Sequence, residues 1–139
     1  MIHFYDKHRT LVMTLERTQI KQDVVPIWEF DIKIAYKYFS ASLTVGDLCG
    51  SFETFKNELS DFYNGKRCSA NLTLIERELE ICFYKENEQM ICKIQSNHFE
   101  MDNTMCHSSL IINYEIDQSF LPELIDEFDK EISTNDLIV

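Results

Sequence analysis

The sequence predicts an α+β fold: a single, mainly antiparallel sheet in the order βββαββββα, with two helices packed on one face. Three observations carry this expectation. Between Trp28 and Tyr38, the large side chains Trp28, Phe30, Ile32, Ile34, Tyr36 and Tyr38 alternate with Glu29, Asp31, Lys33 and Lys37, and only Ala35 departs from the polar set. That is the period of a half-buried strand. Leu48, Phe52, Phe55, Leu59 and Phe62 recur at spacings of 4, 3, 4 and 3, the stripe of an amphipathic helix. The remaining alternating runs are joined by short turns, which pair neighbouring strands antiparallel, and their shared greasy face needs helices laid across it.

Taken in order, Ile2 and Phe4, then Leu11, Met13 and Leu15, read as two short strands joined around Asp6 to Arg9. Gln19 to Pro26 is polar, ends at a residue that cannot donate to a ladder, and reads as the loop feeding the long strand at Ile27. The first helix follows Ser40. Thr44 with Asp47 resembles a capping box at its start, and Asn64-Gly65 supplies the left-handed residue that ends it. Cys68, Ala70, Leu72 and Leu74 return to a period of two.

Leu79, Ile81 and Phe83 continue that period, and a hairpin centred on Glu86 to Gln89 sets them on the same side as Met90, Cys92 and Ile94. Cys82, Tyr84 and Ile91 fall on the reverse face. Ser96 to His107 carries no period and reads as a loop or ragged edge. Leu110, Ile112, Tyr114 and Ile116 form the last strand, which leads into Asp117 or Ser119 as a cap and Pro122 in a first helical turn. Leu121, Leu124, Ile125, Phe128 and Ile132 then make a buried stripe, with Glu123, Asp126, Glu127, Asp129 and Glu131 opposite. Ser133 to Val139 reads as a frayed tail. No internal repeat of fixed period is visible, and a single domain over 1–139 is expected.

Composition narrows the function classes. With 45% hydrophobic and 27% charged residues, three glycines and two prolines, the chain has the make-up of a compact domain. A formal net charge of -11 repels nucleic acid and anionic membrane surfaces and attracts a basic partner. The five cysteines, Cys49, Cys68, Cys82, Cys92 and Cys106, show no CxxC pair and read as reduced core residues, and no apolar run is long enough for a membrane span. The cytoplasm is the expected compartment.

Motifs for chemistry are absent. None of the four histidines sits in a recognisable catalytic pattern, and the three glycines cannot form a phosphate-cradling loop. Cys106-His107 with His98 supplies three zinc-ligand types, but the spacing lacks a second paired cluster. No catalytic residue, metal or cofactor is therefore expected. The acidic residues Glu76, Glu78, Glu80, Glu86, Glu88, Glu123, Asp126 and Glu127 are the candidates for contact with a basic protein, set against the plainer reading of a solvated surface.

Two stretches carry a family resemblance. Val45-Gly46-Asp47-Leu48 runs into the Phe52/Phe55/Leu59 helix that ends at Asn64-Gly65, and Tyr114-Glu115-Ile116-Asp117-Gln118-Ser119-Phe120-Leu121 runs into a closing helix. With Trp28 on the strand before the first helix, the order resembles the WapI-type immunity proteins of bacterial polymorphic and contact-dependent toxin systems, and related small bacterial proteins of uncharacterised function. The resemblance implies a cytosolic protein that neutralises a cognate toxin by binding it, without turnover. A basic nuclease would suit the charge. Two other classes stand beside it: a structural or adaptor module that self-associates through a sheet edge or the Cys82/Tyr84/Ile91 face, and an enzyme with a scattered site.

Overall fold

The computed structural model describes residues 1–21, 24–74, 76–99 and 107–134. Four strands come first: β1 (Ile2–Tyr5), β2 (Leu11–Lys21), β3 (Ile27–Tyr36) and β4 (Phe39–Leu48). The helix α1 (Cys49–Tyr63) follows, then β5 (Ser69–Thr73), β6 (Leu79–Glu86), β7 (Gln89–Phe99), β8 (His107–Ile116) and α2 (Leu121–Ser133). The fold is α+β and antiparallel, but the strands form two four-stranded sheets, β1-β2-β3-β4 and β5-β6-β7-β8, not the single sheet expected. Local pairing within each meander is visible in sequence. Whether β4 and β5 join across α1 is a matter of packing that no local pattern encodes.

The strand missed in the sequence is β4, where Phe39, Ala41, Leu43 and Val45 alternate with Ser40, Ser42, Thr44 and Gly46. Only Val45 and Asp47 of it are fully buried, so its signal is faint. It runs directly into α1, and the expected capping box does not form: Leu48 is the N-cap and gives no side-chain bond. Thr44 Oγ1 instead donates to Asp31 Oδ1 at 2.8 Å, while Asp47 Oδ1 accepts from Leu48 N–H and Ser51 Oγ. The helix ends as expected, with Asn64 as C-cap and Gly65 at φ +76°, where only glycine is unstrained.

Other boundaries shift for similar reasons. β2 extends to Lys21, into the segment expected to be a loop, because a bulge between Arg17 and Gln19 returns Ile20 to the core opposite Trp28. Residues 22–23 lie outside the described residues. β7 and β8 occupy both ends of the Ser96 to His107 segment, whose middle, 100–106, is likewise outside the described residues. The start of α2 follows expectation: Asp117 Oδ1 accepts from Ser119 N–H at 2.9 Å, a short 3₁₀ turn spans Gln118–Phe120, and Pro122 sits in the first turn. The expected tail is helical at Ser133, and residues 135–139 lie outside the described set.

The same order, four strands and a helix, occurs twice, although no repeat of fixed period is visible in the sequence. Ile2, Phe4, Arg9 and Leu11 correspond at one constant spacing to Ala70, Leu72, Arg77 and Leu79. Arg9 and Arg77 occupy the same left-handed position in the turns after β1 and β5, at φ 62° and 57°. Unequal hairpin lengths downstream destroy any fixed period, which is why sequence alone hides the repeat.

One continuous core joins the halves. Phe4 and Phe83 face each other across the two sheets, and Phe55 of α1 and Phe128 of α2 close a four-membered aromatic cluster with them, at centroid separations of 5.4–6.3 Å. Trp28 and Phe30 of the central strand pack on Phe52 of α1. The expected face of the long strand is buried from Trp28 to Ile34, whereas Tyr38, in the tip of the β3–β4 hairpin, is 97% exposed. The hairpin β6–β7 has the expected register, with Ile81 opposite Ile94 and Phe83 opposite Cys92. Its two-residue turn places both Asn87 (φ 51°) and Glu88 (φ 67°) in the left-handed region. Glu88→Gly is therefore expected to raise the unfolding free energy by about 0.5–1 kcal/mol, measured by urea titration, because glycine occupies that region without the Cβ penalty.

Candidate functional site

The acidic residues singled out in the sequence divide into two groups. Those on α2 are engaged inside the molecule. Glu127 accepts from His3 N–H at 2.7 Å, and its other oxygen lies 2.9 Å from His3 Nδ1. Glu123 pairs with Arg9 at 3.1 Å and Asp126 with Lys130 at 2.9 Å. Asp129 pairs with Lys56 and Glu131 with the Met1 amino group. The helix face read as a solvated or contacting surface is thus largely the seam that fastens α2 to β1 and α1. Sequence could not show it, because every cation except Lys130 comes from a distant part of the chain.

The second group lies on the second sheet. Glu80 accepts from Asn97 Nδ2 at 3.2 Å, within a network in which Gln95 Nε2 and Ser109 Oγ both donate to Asn97 Oδ1. Glu86 and Glu88 flank the β6–β7 turn and are exposed. Glu76 and Glu78 share the turn between β5 and β6, where burial first, and the neighbouring Glu76 second, push the Glu78 carboxyl above its usual range. A carboxyl raised in the folded state holds its proton there more tightly than in the unfolded chain. Its ionisation then costs stability as pH climbs from the ordinary glutamate value through the raised one, and the cost is relieved below that window. Glu78→Gln is expected to raise the melting temperature at pH 7 and to leave it unchanged at pH 3.

Three of the thiols are held toward their protonated form. Burial pushes Cys92 up to about 12, and the Tyr114 hydroxyl, itself held well above the usual phenol range by burial, lies against it. Cys49 and Cys82 are also raised, chiefly by burial. The expectation of core cysteines holds for Cys92 but not for Cys68, which is exposed; Cys106 lies outside the described residues. Among the described residues no group of three His, Cys, Asp or Glu side chains could hold a metal ion, and no helix is long and apolar enough to cross a membrane. Of the three zinc-ligand types noted in the sequence, Cys106 and the His107 side chain fall outside the described set.

The crevice between α2 and β1, lined by His3, Phe4, Tyr114 and Leu124, holds about 20 Å³, room for a water. Open polar grooves of about 670 and 560 Å³ flank the Lys7–Glu115 ion pair, with walls of both signs and no activated nucleophile.

A different surface stands out, on the outer face of the first sheet. Glu16 of β2 lies directly opposite Asp31 of β3, and Glu29 follows two residues before Asp31 on the same face. Beyond them, Asp31 faces Thr44 of β4 and Glu29 faces Gly46. Like charges directly opposite each other on a sheet destabilise it; here the cost is partly offset, because Asp31 accepts from Thr44 Oγ1 and Lys33 stands on the same face two residues beyond it. Glu29 and Asp31 were visible as the polar side of the long strand. Glu16 was not, because its place depends on the β2–β3 register.

No protein-family model matches the chain, and neither a curated protein nor a solved structure matches it.

Proposed function

We propose that this chain is a non-catalytic binding protein that neutralises a basic partner by covering it, in the manner of the WapI-type immunity proteins whose element order it resembles. The observation that supports this most directly is the row that sets Glu16 opposite Asp31 on the outer sheet face of a molecule of net charge -11. Such a row matches a cationic surface, such as the substrate groove of a nuclease, and it supplies no acid-base couple because no cleft encloses it. The partner class is thus a cationic bacterial toxin domain, with no nucleic acid or membrane involved.

The test is to look for a neighbouring gene that encodes a toxic, basic domain and to co-express that domain with this chain; absence of such a neighbour counts against the reading. Wild type is expected to restore growth, and Glu16→Lys to lose protection by about tenfold or more in the toxin dose tolerated. The same substitution creates a cross-strand ion pair with Asp31 and is expected to raise stability by about 0.2–1 kcal/mol, so lost protection cannot be ascribed to unfolding. Unchanged toxicity in the presence of wild type would refute the reading.

A further inference from the structure

The four outer strands of the two sheets differ in how their edges are treated. In β1 the outward N–H of His3 is capped by Glu127 of α2. β5 lies alongside α1. In β8 the outward carbonyl of Glu115 accepts from Lys7 N–H at 2.9 Å. Among the described residues β4 has no such cover. The two-residue turn makes Tyr36 and Phe39 a mutually bonded pair, so Ala41, Leu43 and Val45 also bond to β3, and Ser40, Ser42, Thr44 and Gly46 turn their N–H and C=O groups away from it. The same alternation in the second sheet accounts for the outward Glu115 carbonyl that Lys7 meets. Among the described residues no backbone or side-chain partner reaches the outward groups from Ser40 to Gly46.

Edge strands exposed in this way are ordinarily protected by lysine, proline, a bulge or a covering element. From Phe39 to Gly46 the sequence FSASLTVG contains neither lysine nor proline nor any other charge, and its pairing with β3 runs without a bulge. It borders an open groove of about 400 Å³ shared with Ser108–Leu110 of β8, walled on the β4 side by Ala41, Ser42 and Leu43. We infer that the β4 edge is a docking site for an extended segment of a basic partner protein, which adds as a further strand beside Ser40–Gly46 and is drawn there by the negative field of a molecule of net charge -11.

Two features select that occupant. A row of unpaired amide groups is recognised by another extended backbone, with side-chain identity entering only through alternate positions. The short Ser42 and Thr44 keep the outer face of β4 low, with the Ile27 side chain beside Gly46, and the net charge of -11 favours a cationic strand there. A second copy of the chain offers the same backbone but brings the same net charge of -11 and the same carboxylates to the contact. The inference rests on the proposed binding role, and names the edge that role would use.

The experiment uses a synthetic octapeptide of alternating lysine and valine as the probe, with the full chain. Binding is expected to slow amide hydrogen exchange at Ser42, Thr44 and Gly46, while the amides of Ala41, Leu43 and Val45, already bonded to β3, change little. Ser42→Pro removes one outward N–H at a position where proline leaves the β3 ladder intact, and is expected to weaken peptide binding at least about tenfold. Ser42→Lys, which keeps the N–H and adds a repelling charge, is expected to weaken it as well and guards against misfolding of the proline variant. Absence of peptide binding, or binding that ignores both substitutions, overturns the inference. So does exchange protection of the same alternate amides that grows with protein concentration without peptide, since a second copy would then be the occupant. If Ser42→Pro and Ser42→Lys still neutralise the toxin as wild type does, the edge assignment falls and the binding role stands. If wild type gives no neutralisation, the role falls with it.

Discussion

Phe55→Ala is expected to lower the unfolding free energy by about 3–5 kcal/mol, the cost of emptying a fully buried aromatic site. Phe55 is 0% exposed, and it touches both halves of the molecule, with Phe83 at 6.1 Å and Phe128 edge-on at 5.4 Å. The surroundings cannot collapse into the gap easily, because Phe83 is fixed in a strand and Phe128 in a helix. For a domain whose total stability is of the order of 5–15 kcal/mol, the loss approaches or exceeds a third of it. Urea titration measures the change. A double-mutant cycle with Phe128→Ala should show a coupling of about 0.5–1.5 kcal/mol from the edge-to-face contact. A single-mutant loss below about 1 kcal/mol would place Phe55 outside the core.

Arg17→Ala is expected to cost roughly 2–4 kcal/mol, less than the full penalty for breaking a buried ion pair because Glu131 remains partly hydrated. The Arg17 side chain is 2% exposed, pointing inward from β2 in series with Met13 and Leu15. Its Nη1 donates to the Glu131 carbonyl at 3.0 Å, one of the last acceptors of α2, which the helix itself meets only through the C-cap Thr134 N–H at 3.4 Å. Its Nε lies 3.6 Å from Glu131 Oε2, near enough for attraction and too far for a hydrogen bond, and it makes none elsewhere among the described residues. The guanidinium also stacks over Trp28 at 4.6 Å. Alanine removes one partner from the carboxylate, which keeps Met1, and one from the carbonyl, which keeps only the long Thr134 N–H contact, and it opens a void above the indole. Arg17→Met keeps the packing on Trp28 and should lose less than Arg17→Ala, whereas Arg17→Lys lacks the planar fork. Trp28 is the only tryptophan, so its fluorescence reports the change directly. Equal losses for the alanine and methionine variants would assign the whole effect to charge.

The edge of β4 and the core cluster illustrate different relations between stability and use. The core residues are where substitution damages the fold. Glu16, Asp31 and the outward amides of Ser42 and Thr44 are where substitution should leave the fold intact or firmer and remove binding. That separation lets the proposed role be tested without confusing a lost surface with a lost structure.

Elements whose evidence is local were legible in the sequence. The stripe from Phe52 to Phe62, the Asn64-Gly65 stop, the Asp117 cap and the pairing of Phe83 with Cys92 all rest on residues within one or two turns of chain. The candidate site was legible only in part. Glu29 and Asp31 could be seen sharing a strand face, but Glu16 reaches them only through strand register, and the exposure of β4 depends on what does not cover it. The acids of α2 looked available because their partners, His3, Arg9 and Lys56, are remote in sequence.

By itself the sequence determined the α+β class, the antiparallel meanders, both helices and the acidic excess, because periodicity, caps and charge are properties of neighbouring residues. Only the tertiary structure decided that the strands split into two sheets built on a repeated plan, that Arg17 is buried, and that, among the described residues, three of the four sheet edges are covered or partly engaged while the β4 edge meets no partner from Ser40 to Gly46. Those outcomes depend on which distant surfaces meet, and the free energy that selects them comes from burial summed over the whole core, not from any single stretch of chain.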